Sequence, residues 1–337
     1  MEHGNVPSGL SDLKPGLRET MKKSLLASLL ACVVAVSHAA YPERPVRLIV
    51  PASAGTITDV IGREFGQVLS TVLKQTVIID NIVGAEGVIG TQAMVRAEPD
   101  GYTMLFVSSS TTVLDPVLRK SIPYDPRKDL LPACGVLRVG NVMNISATLP
   151  YKNVGEFIAA AKAQPPGKFT FGYSTATTRL AGELFQQQAG IKMTGVPYKG
   201  STQGLTEVAG GQIDLFFIDH VSATPYYQNG KIKPMLVAGP QRNKALPDVP
   251  SAADAGIPGY DMRPTISTFL PSRTPPAIVN QVREAVLQVV KSPAFAAVRE
   301  KNGLEEFSLC GDALTKYQND EIVRWEQVTK KAGIEKQ

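Results

Sequence analysis

Apolar and polar positions follow two recurring patterns along this chain. Short apolar runs rich in β-branched residues, such as 46–50, suit buried strands. Each run leads through a loop of small or polar residues into a segment with apolar residues at helical spacing. The first such segment has its apolar face at Ile61, Phe65, Val68, Leu69 and Val72. The alternation predicts an α/β protein built around parallel strands.

This alternation runs through the chain twice, which predicts two α/β lobes. The first set contains strand-like segments at 76–80 and 103–107, with a helix ending near Ala97 between them. The second set begins near Val142, and Asn153 with Glu156 three residues later is typical of a helix start. The remaining segments of the second set are strands at 169–172, 193–196, 213–218 and 234–239, and helices around 180–188 and 205–211.

The end of the chain departs from the alternation. Two helices are predicted at 278–290 and 294–302, followed by a short strand at 304–307. A last helix should carry Trp325 in an apolar packing stripe and end at Gly333. The last helices therefore form a separate group within the predicted fold.

Three loops rich in small hydroxyl residues follow predicted strands and precede predicted helices. They are PASAGTIT at 51–58, SSSTT at 108–112 and YSTATT at 173–178. A helix N-terminus offers unpaired N–H groups and the positive end of the helix dipole, so these loops are candidate anion sites. Ligands of open α/β sheets bind beyond the carboxyl ends of the strands, where such loops lie. Each loop could instead serve only to cap the next helix.

The N-terminal segment carries an export signal. A basic start at Met21, an apolar stretch too short to span a bilayer and small residues near Ala40 are typical of a cleavable signal peptide. The chain is therefore expected to be exported, with 1–20 as an upstream extension and Met21 as a possible true start. After this leader only Cys134 and Cys310 remain, and an exported compartment would allow them to pair. The favoured interpretation is that Cys134 and Cys310 are not paired.

Composition excludes several classes of function. The 337 residues are 43% hydrophobic, which is enough for a substantial core, and the net charge of +5 is concentrated in no long basic run. The sequence therefore predicts no nucleic-acid partner. One histidine and two scattered cysteines beyond the leader predict no metal site, and no nucleotide-binding fingerprint indicates a cofactor.

A secreted serine hydrolase is the enzymatic alternative. Residues 172–176 have the outline of a strand-to-helix nucleophile elbow centred on Ser174, with alanine in place of the second glycine. His220 would serve as the base, with Asp214 or Asp219 as the orienting acid. The other interpretation makes Ser174 a hydrogen-bond donor and His220 a partly exposed loop residue.

An ordered series of motifs from about Tyr41 to the C-terminus resembles one known family. The motifs are YPERPVRLIVP with Ala54, Gly55 and Asp59 following, DN at 80–81, EPDGYTML at 98–105, IPYDPRKDL at 122–130, LAGELF at 180–185, VPYKGS at 196–201, GGQID at 210–214, GKIKPMLV at 230–237, ALPDVP at 245–250 and AGIPGY at 255–260. Their order and spacing resemble the periplasmic solute-binding receptors of the tripartite tricarboxylate transporter family, the Bug-type receptors.

The resemblance implies an α/β, two-lobed periplasmic binding protein of the Venus-flytrap, type II fold. Lobe 1 would comprise 41–142 plus 266–337, and lobe 2 would comprise 143–265, after a leader at 1–40. It implies a monomer without catalysis that captures a small carboxylate and delivers it to transporter membrane subunits, or that reports to a signalling sensor. The expected ligand-binding residues are Ser53, Ala54, Gly55, Thr56, Ser108, Ser109, Thr111, Ser174, Thr175, Thr177 and Asp219. Asp59 is expected to order the first loop as a hydrogen-bond acceptor.

The chain also departs from the family pattern. Ala52, Ser53 and Thr56 stand where phenylalanine, proline and a second glycine are usual, and the loop at 173–178 is short and lacks glycine. These departures predict an unusual ligand. We also considered that Arg179 or Arg263 supplies a positive charge to the cleft.

Overall fold

The computed structural model describes residues 41–336, apart from the side chains at 331 and 332. The predicted leader at 1–40, including the signal peptide, lies outside the described residues. The strands are β1 (Val46–Val50), β2 (Val77–Asn81), β3 (Thr103–Ser108), β4 (Leu130–Arg138), β5 (Val142–Ser146), β6 (Thr170–Tyr173), β7 (Thr194–Pro197), β8 (Leu215–Ile218), β9 (Ile232–Val237), β10 (Thr265–Pro271) and β11 (Glu305–Glu306).

Helices cover the faces of the strands. They are α1 (Ile57–Leu73), α2 (Val88–Val95), α3 (Asp115–Leu118), α4 (Val154–Ala163), α5 (Ala176–Ala189), α6 (Ser201–Ala209), α7 (His220–Gln228), α8 (Pro276–Lys291), α9 (Pro293–Lys301) and α10 (Asp312–Ala332). Short 3-10 and π turns precede α2 and α3. Among residues 41–336, no helix is both long and apolar enough to cross a membrane.

The strands form two separate sheets. The first has the order β11-β4-β10-β3-β1-β2, and the second has the order β7-β6-β8-β5-β9. Strand β1 pairs in parallel with β2 and β3, and β6 pairs in parallel with β7 and β8, as the alternation predicts. Both sheets are nevertheless mixed, because β10 runs antiparallel to β3 and β4, and β5 runs antiparallel to β8 and β9. The antiparallel strands β5 and β10 are the two that directly follow the segments joining the sheets.

Two segments carry the chain between the sheets. The first is the short segment 139–141 between β4 and β5, and the second is 238–264 between β9 and β10. They are hydrogen-bonded to each other, since Asn141 N donates to Met262 O (3.1 Å) and Ala238 N donates to Asn141 O (2.8 Å). We call this pair of segments the hinge. Both sheets and the hinge belong to one compact unit, Arg44–Gln337.

Local sequence signals account for several elements. The predicted apolar face of α1 packs into the core, with Ile61, Phe65 and Leu69 almost fully buried. Asn153 caps α4 by accepting a hydrogen bond from Glu156 N (2.9 Å). The last helix buries Trp325 in the core and ends at Gly333 in the left-handed conformation. All three features agree with the sequence pattern.

The two cysteines beyond the leader form a disulfide. Cys134 on β4 and Cys310 before α10 lie on adjacent backbone segments that form an isolated antiparallel bridge. The favoured expectation of two unpaired residues was therefore wrong. Sequence separation alone, 176 residues, carried no information about the distance between them.

Candidate functional site

A cavity of about 100 Å³ lies between the two sheets and is lined from both sides. Of the residues predicted to bind ligand, those that line it are Ser53, Thr56, Ser108, Ser174, Thr175, Thr177 and Asp219. The first residues of α1 and α5 also border the cavity, as expected for loops at the carboxyl ends of strands. The cavity is therefore a polar pocket to which both lobes contribute.

Four predicted ligand-binding residues do not line the cavity. In the first loop, Ala54 O accepts from Thr202 Oγ1 (3.2 Å) and Gly55 N donates to Asp59. Ser109 accepts from Thr265 N (3.2 Å), and Thr111 is buried against Ser108 and Tyr124. Ser110, at the start of the π turn 110–114, lines the cavity. For Ala54, Gly55, Ser109 and Thr111, ligand binding stays a prediction.

The first cavity loop, residues 51–56, is ordered by Asp59. Gly55 takes a positive φ of 79°, and its N–H donates to Asp59 Oδ2 (2.9 Å). Asn81 and Arg63 donate to Asp59 Oδ1 at 3.0 and 2.7 Å. Burial raises the pKa of this carboxyl, but hydrogen bonds from Arg63, Gly55 and Asn81 outweigh burial and leave the pKa below its ordinary value. Asp59 is therefore held ionised as an acceptor for the loop.

The N-terminus of α1 is capped by the other lobe. Thr56 has the extended backbone of an N-cap, but its hydroxyl donates to Ser53 O (2.7 Å) and leaves the helix uncapped. Ser222 Oγ, on α7, accepts from Ile57 N (2.9 Å) and donates to Asp219 Oδ2 (2.9 Å). Asp219 is buried, and burial raises its pKa to about 6. A buried carboxylate thus supports the cap that α7 supplies to α1.

The second cavity loop, residues 173–178, caps its own helix. Thr175 accepts from Thr178 N (3.2 Å), and Thr178 Oγ1 accepts in return from Thr175 N (3.0 Å), which completes a capping box. Ser110 of the first lobe adds a bond by accepting from Thr177 N (3.2 Å). Each lobe therefore supplies one serine hydroxyl that accepts a hydrogen bond from the helix N-terminus of the other lobe.

Ionisable side chains at the cavity are few. Lys199 is its one lining cation among the described residues, and the lining carboxylates are Glu86 and Asp219. Glu86 pairs with Arg119 (2.6 Å), so its charge is compensated from outside the cavity. Neither arginine that we considered lines the cavity. Arg263 pairs with Asp261 (2.7 Å), and Arg179 borders a separate small pocket beside Asp115.

The hydrolase alternative requires contacts that the described residues do not make. Ser174 Oγ is hydrogen-bonded to Ser201 Oγ (2.6 Å) rather than to a histidine. The Nδ1 atom of His220 lies 3.3 Å from Asn243 Nδ2, and burial lowers the pKa of His220 to about 4. Asp214 accepts from Thr170, and Asp219 from Ser222. Neither acid orients the histidine, so the geometry does not support a triad.

Several polar cavity residues were not among the predicted ligand-binding residues: Thr58, Glu86, Ser110, Asn141, Thr178, Lys199 and Ser201. Ser222, which bonds to Ile57 N, was not predicted either. Lys199 and Ser201 belong to the VPYKGS motif, whose position directly before a helix could have marked it as a site. Asn141 and Ser222 carry no such local signal. Among residues 41–336, no group of three His, Cys, Asp or Glu side chains is arranged to hold a metal ion.

The protein has two mixed β-sheets flanked by helices and joined by a hinge, with a polar cavity between the sheets. This arrangement defines a two-lobed periplasmic binding protein. The model of the tripartite tricarboxylate transporter family receptors matches residues 61–334. This chain belongs to that family.

Named relatives and solved structures agree with this assignment. Protein BugT of Bordetella pertussis (strain Tohama I) is 30% identical over 88% of this chain and 92% of its own length. The structure of Rpa4515 from R. palustris with adipate has a TM-score of 0.84 and 30% identity, and covers 88% of this chain and 100% of that one. The periplasmic binding protein BugD has a TM-score of 0.82 and 28% identity, with coverage of 88% and 100%. The family-level prediction from the motifs is thereby confirmed.

Proposed function

We propose that this protein is a periplasmic receptor that captures a small carboxylate between its lobes and delivers it to the membrane subunits of a tripartite tricarboxylate-type transporter. The observation that carries the proposal is the cavity between the sheets, where hydroxyl groups of both lobes face one another. Hydroxyl and N–H donors hold carboxylates through charge-assisted hydrogen bonds, so no arginine is required. A relative of the same family is solved with adipate, a carboxylate.

The proposal includes the lobe limits given by the resemblance, 41–142 plus 266–337 and 143–265, and a monomer exported through the signal peptide. The hinge segments 139–141 and 238–264 support these limits. A ligand that touches both lobes favours the closed state by its differential affinity for that state. Closure would then give the transporter subunits a shape to recognise, without any catalytic step.

Thermal unfolding with a panel of carboxylates tests the proposal. The chain from Tyr41 onward is unfolded, refolded to remove bound ligand, and heated with monocarboxylates and dicarboxylates. A ligand at about 100 times its dissociation constant should add roughly 2.7 kcal/mol to the free energy of unfolding. Absence of a shift with every member of the panel would contradict the proposal.

Lys199 offers a matched pair of variants for the same test. Lys199→Met removes the cation at the cavity and should weaken carboxylate binding about fivefold, equivalent to about 1 kcal/mol for a partly exposed charge. Lys192→Met, an exposed lysine outside the cavity lining, serves as the control and should bind as the parent does. Equal affinities for both variants would show that the carboxylate does not bind beside Lys199.

A further inference from the structure

The charged groups and hydrogen-bond donors of the cavity indicate which kind of carboxylate it binds. We infer that it carries a single carboxylate and, away from that group, an uncharged oxygen acceptor that takes a hydrogen bond from Asn141. This inference rests on the proposed function of the cavity. It distinguishes the chain from a receptor for dicarboxylates.

Charge compensation at the cavity suffices for one carboxylate. Lys199 is the one lining cation in the described part of the chain, and the buried Asp219 already places a carboxyl at the wall. Arg119 is committed to Glu86 and Asp115, and Arg263 to Asp261. A second ligand carboxylate would therefore enter a partly desolvated site beside Asp219 without a cation of its own. A charge without such compensation is expensive to desolvate.

Backbone donors are also limited. The N–H groups at two helix N-termini, those of Ile57 and Thr177, are already bonded to Ser222 and Ser110 of the opposite lobes. In this structure they are not free to hold a second anion. Two N–H donors that could otherwise bind a second carboxylate are thus occupied by serine hydroxyls.

Asn141 supplies an unused donor at the hinge. Asn141 is 3% exposed and lines the cavity, and its Nδ2 has no hydrogen-bond partner among residues 41–336. Thr177 also lines the cavity, and its buried Oγ1 has no partner in this part of the chain. An amide NH₂ only donates, so its complement is an oxygen acceptor. A buried polar atom without a partner is costly, which favours a ligand that supplies one.

The position of Asn141 connects this contact with closure. Along segment 138–141, Val139 and Asn141 line the ligand cavity, whereas Arg138 and Gly140 line a separate cavity behind the hinge. Successive residues thus line opposite cavities, as they do in an extended strand. A ligand acceptor bonded to Asn141 would thus contact the hinge as well as the two lobes.

Isothermal titration at neutral pH with paired ligands tests the inference. The pairs are succinate with succinamate, glutarate with glutaramate, and adipate with adipamate, in which one carboxylate is replaced by an uncharged amide of similar size. At least one monoamide should bind the parent protein tenfold or more tightly than its dicarboxylate. Dicarboxylates that bind as tightly as their monoamides would overturn the inference and leave the proposed function standing. Absence of binding by every compound would contradict both.

Variants of Asn141 test the hydrogen bond itself. Asn141→Leu removes the donor, and Asn141→Asp replaces it with an acceptor. Asn141→Leu should weaken binding of the preferred monoamide about tenfold while changing the affinity for butyrate, which lacks the second acceptor, less than threefold. Asn141→Asp should weaken binding of both compounds, because it adds a negative charge to the cavity wall beside Asp219. Asn319→Asp on α10, outside the cavity lining, is the matched control for the change of charge. In Asn141→Leu, an equal loss for butyrate and monoamide would show that Asn141 only shapes the cavity, and retained monoamide affinity would also overturn the assignment.

Discussion

The two cavity loops perform the same task in different ways. Each lies at the end of a strand and begins a helix beside the cavity. The loop at 173–178 completes its own capping box, so its geometry is fixed within one lobe. The loop at 51–56 depends on Asp59, which follows it in the helix, and on Ser222 of the opposite lobe. The helix after the second loop is thus capped within its own lobe, whereas the helix after the first loop takes its side-chain cap from the opposite lobe.

The largest expected effect comes from removing the internal support of the first loop. Asp59→Ala deletes a buried acceptor of bonds from Gly55, Asn81 and Arg63, and should lower the free energy of unfolding by about 3 kcal/mol. In the second loop, Thr178→Ala removes half of the capping box and should cost about 1 kcal/mol. Urea denaturation measures both changes, and equal losses would contradict the difference between the loops.

The second effect is a loss of stability at low pH, caused by His220 at the start of α7. This helix supports the first loop through Ser222. The pKa of His220 is lowered from 6.5 to about 4 by burial, so between these values the unfolded chain binds a proton that the folded chain does not. The resulting stability is present above pH 6.5 and is lost as the pH falls towards about 4. The parent should therefore lose roughly 2–3 kcal/mol relative to His220→Gln over this range.

Denaturation of the two proteins at about pH 7 and pH 4.5 measures this difference. Asp219 and Asp115 have raised pKa values, about 6 and about 7, and titrate in the opposite sense. They are present in both proteins, so the difference isolates His220. Parallel stability curves would show that the histidine titrates normally in the folded chain.

The smallest effect separates the two cross-lobe caps. Ser222→Ala removes the acceptor of Ile57 N and should speed hydrogen exchange at that amide about fivefold, because a cap bond contributes about 1 kcal/mol. Ser110→Ala should speed exchange at Thr177 less, because the capping box still holds the second loop. Each variant is the control for the other. A similar increase at both amides would show that the two helix starts depend equally on the opposite lobe.

Local signals explain what the sequence could predict. The first strand at 46–50, the Asn153 cap and the end of the last helix at Gly333 depend on neighbours within a few residues. The contacts that complete the cavity do not. Ile57 and Ser222 are 165 residues apart, and their bond exists only because the two lobes meet. The π turn at 110–114, where Ser110 rather than Thr111 lines the cavity, is a backbone feature that residue type does not indicate.

The disulfide between Cys134 and Cys310 gives this architecture a modular character. The bond closes a covalent ring, and every strand of the second sheet, from Val142 to Val237, lies inside that ring. The second sheet is thus an insertion in the chain of the first sheet, and the disulfide joins the first-lobe segments on either side of it. Replacing this inserted segment with that of a relative would change the second lobe's side of the ligand cavity, while Cys134 and Cys310 would still close the ring.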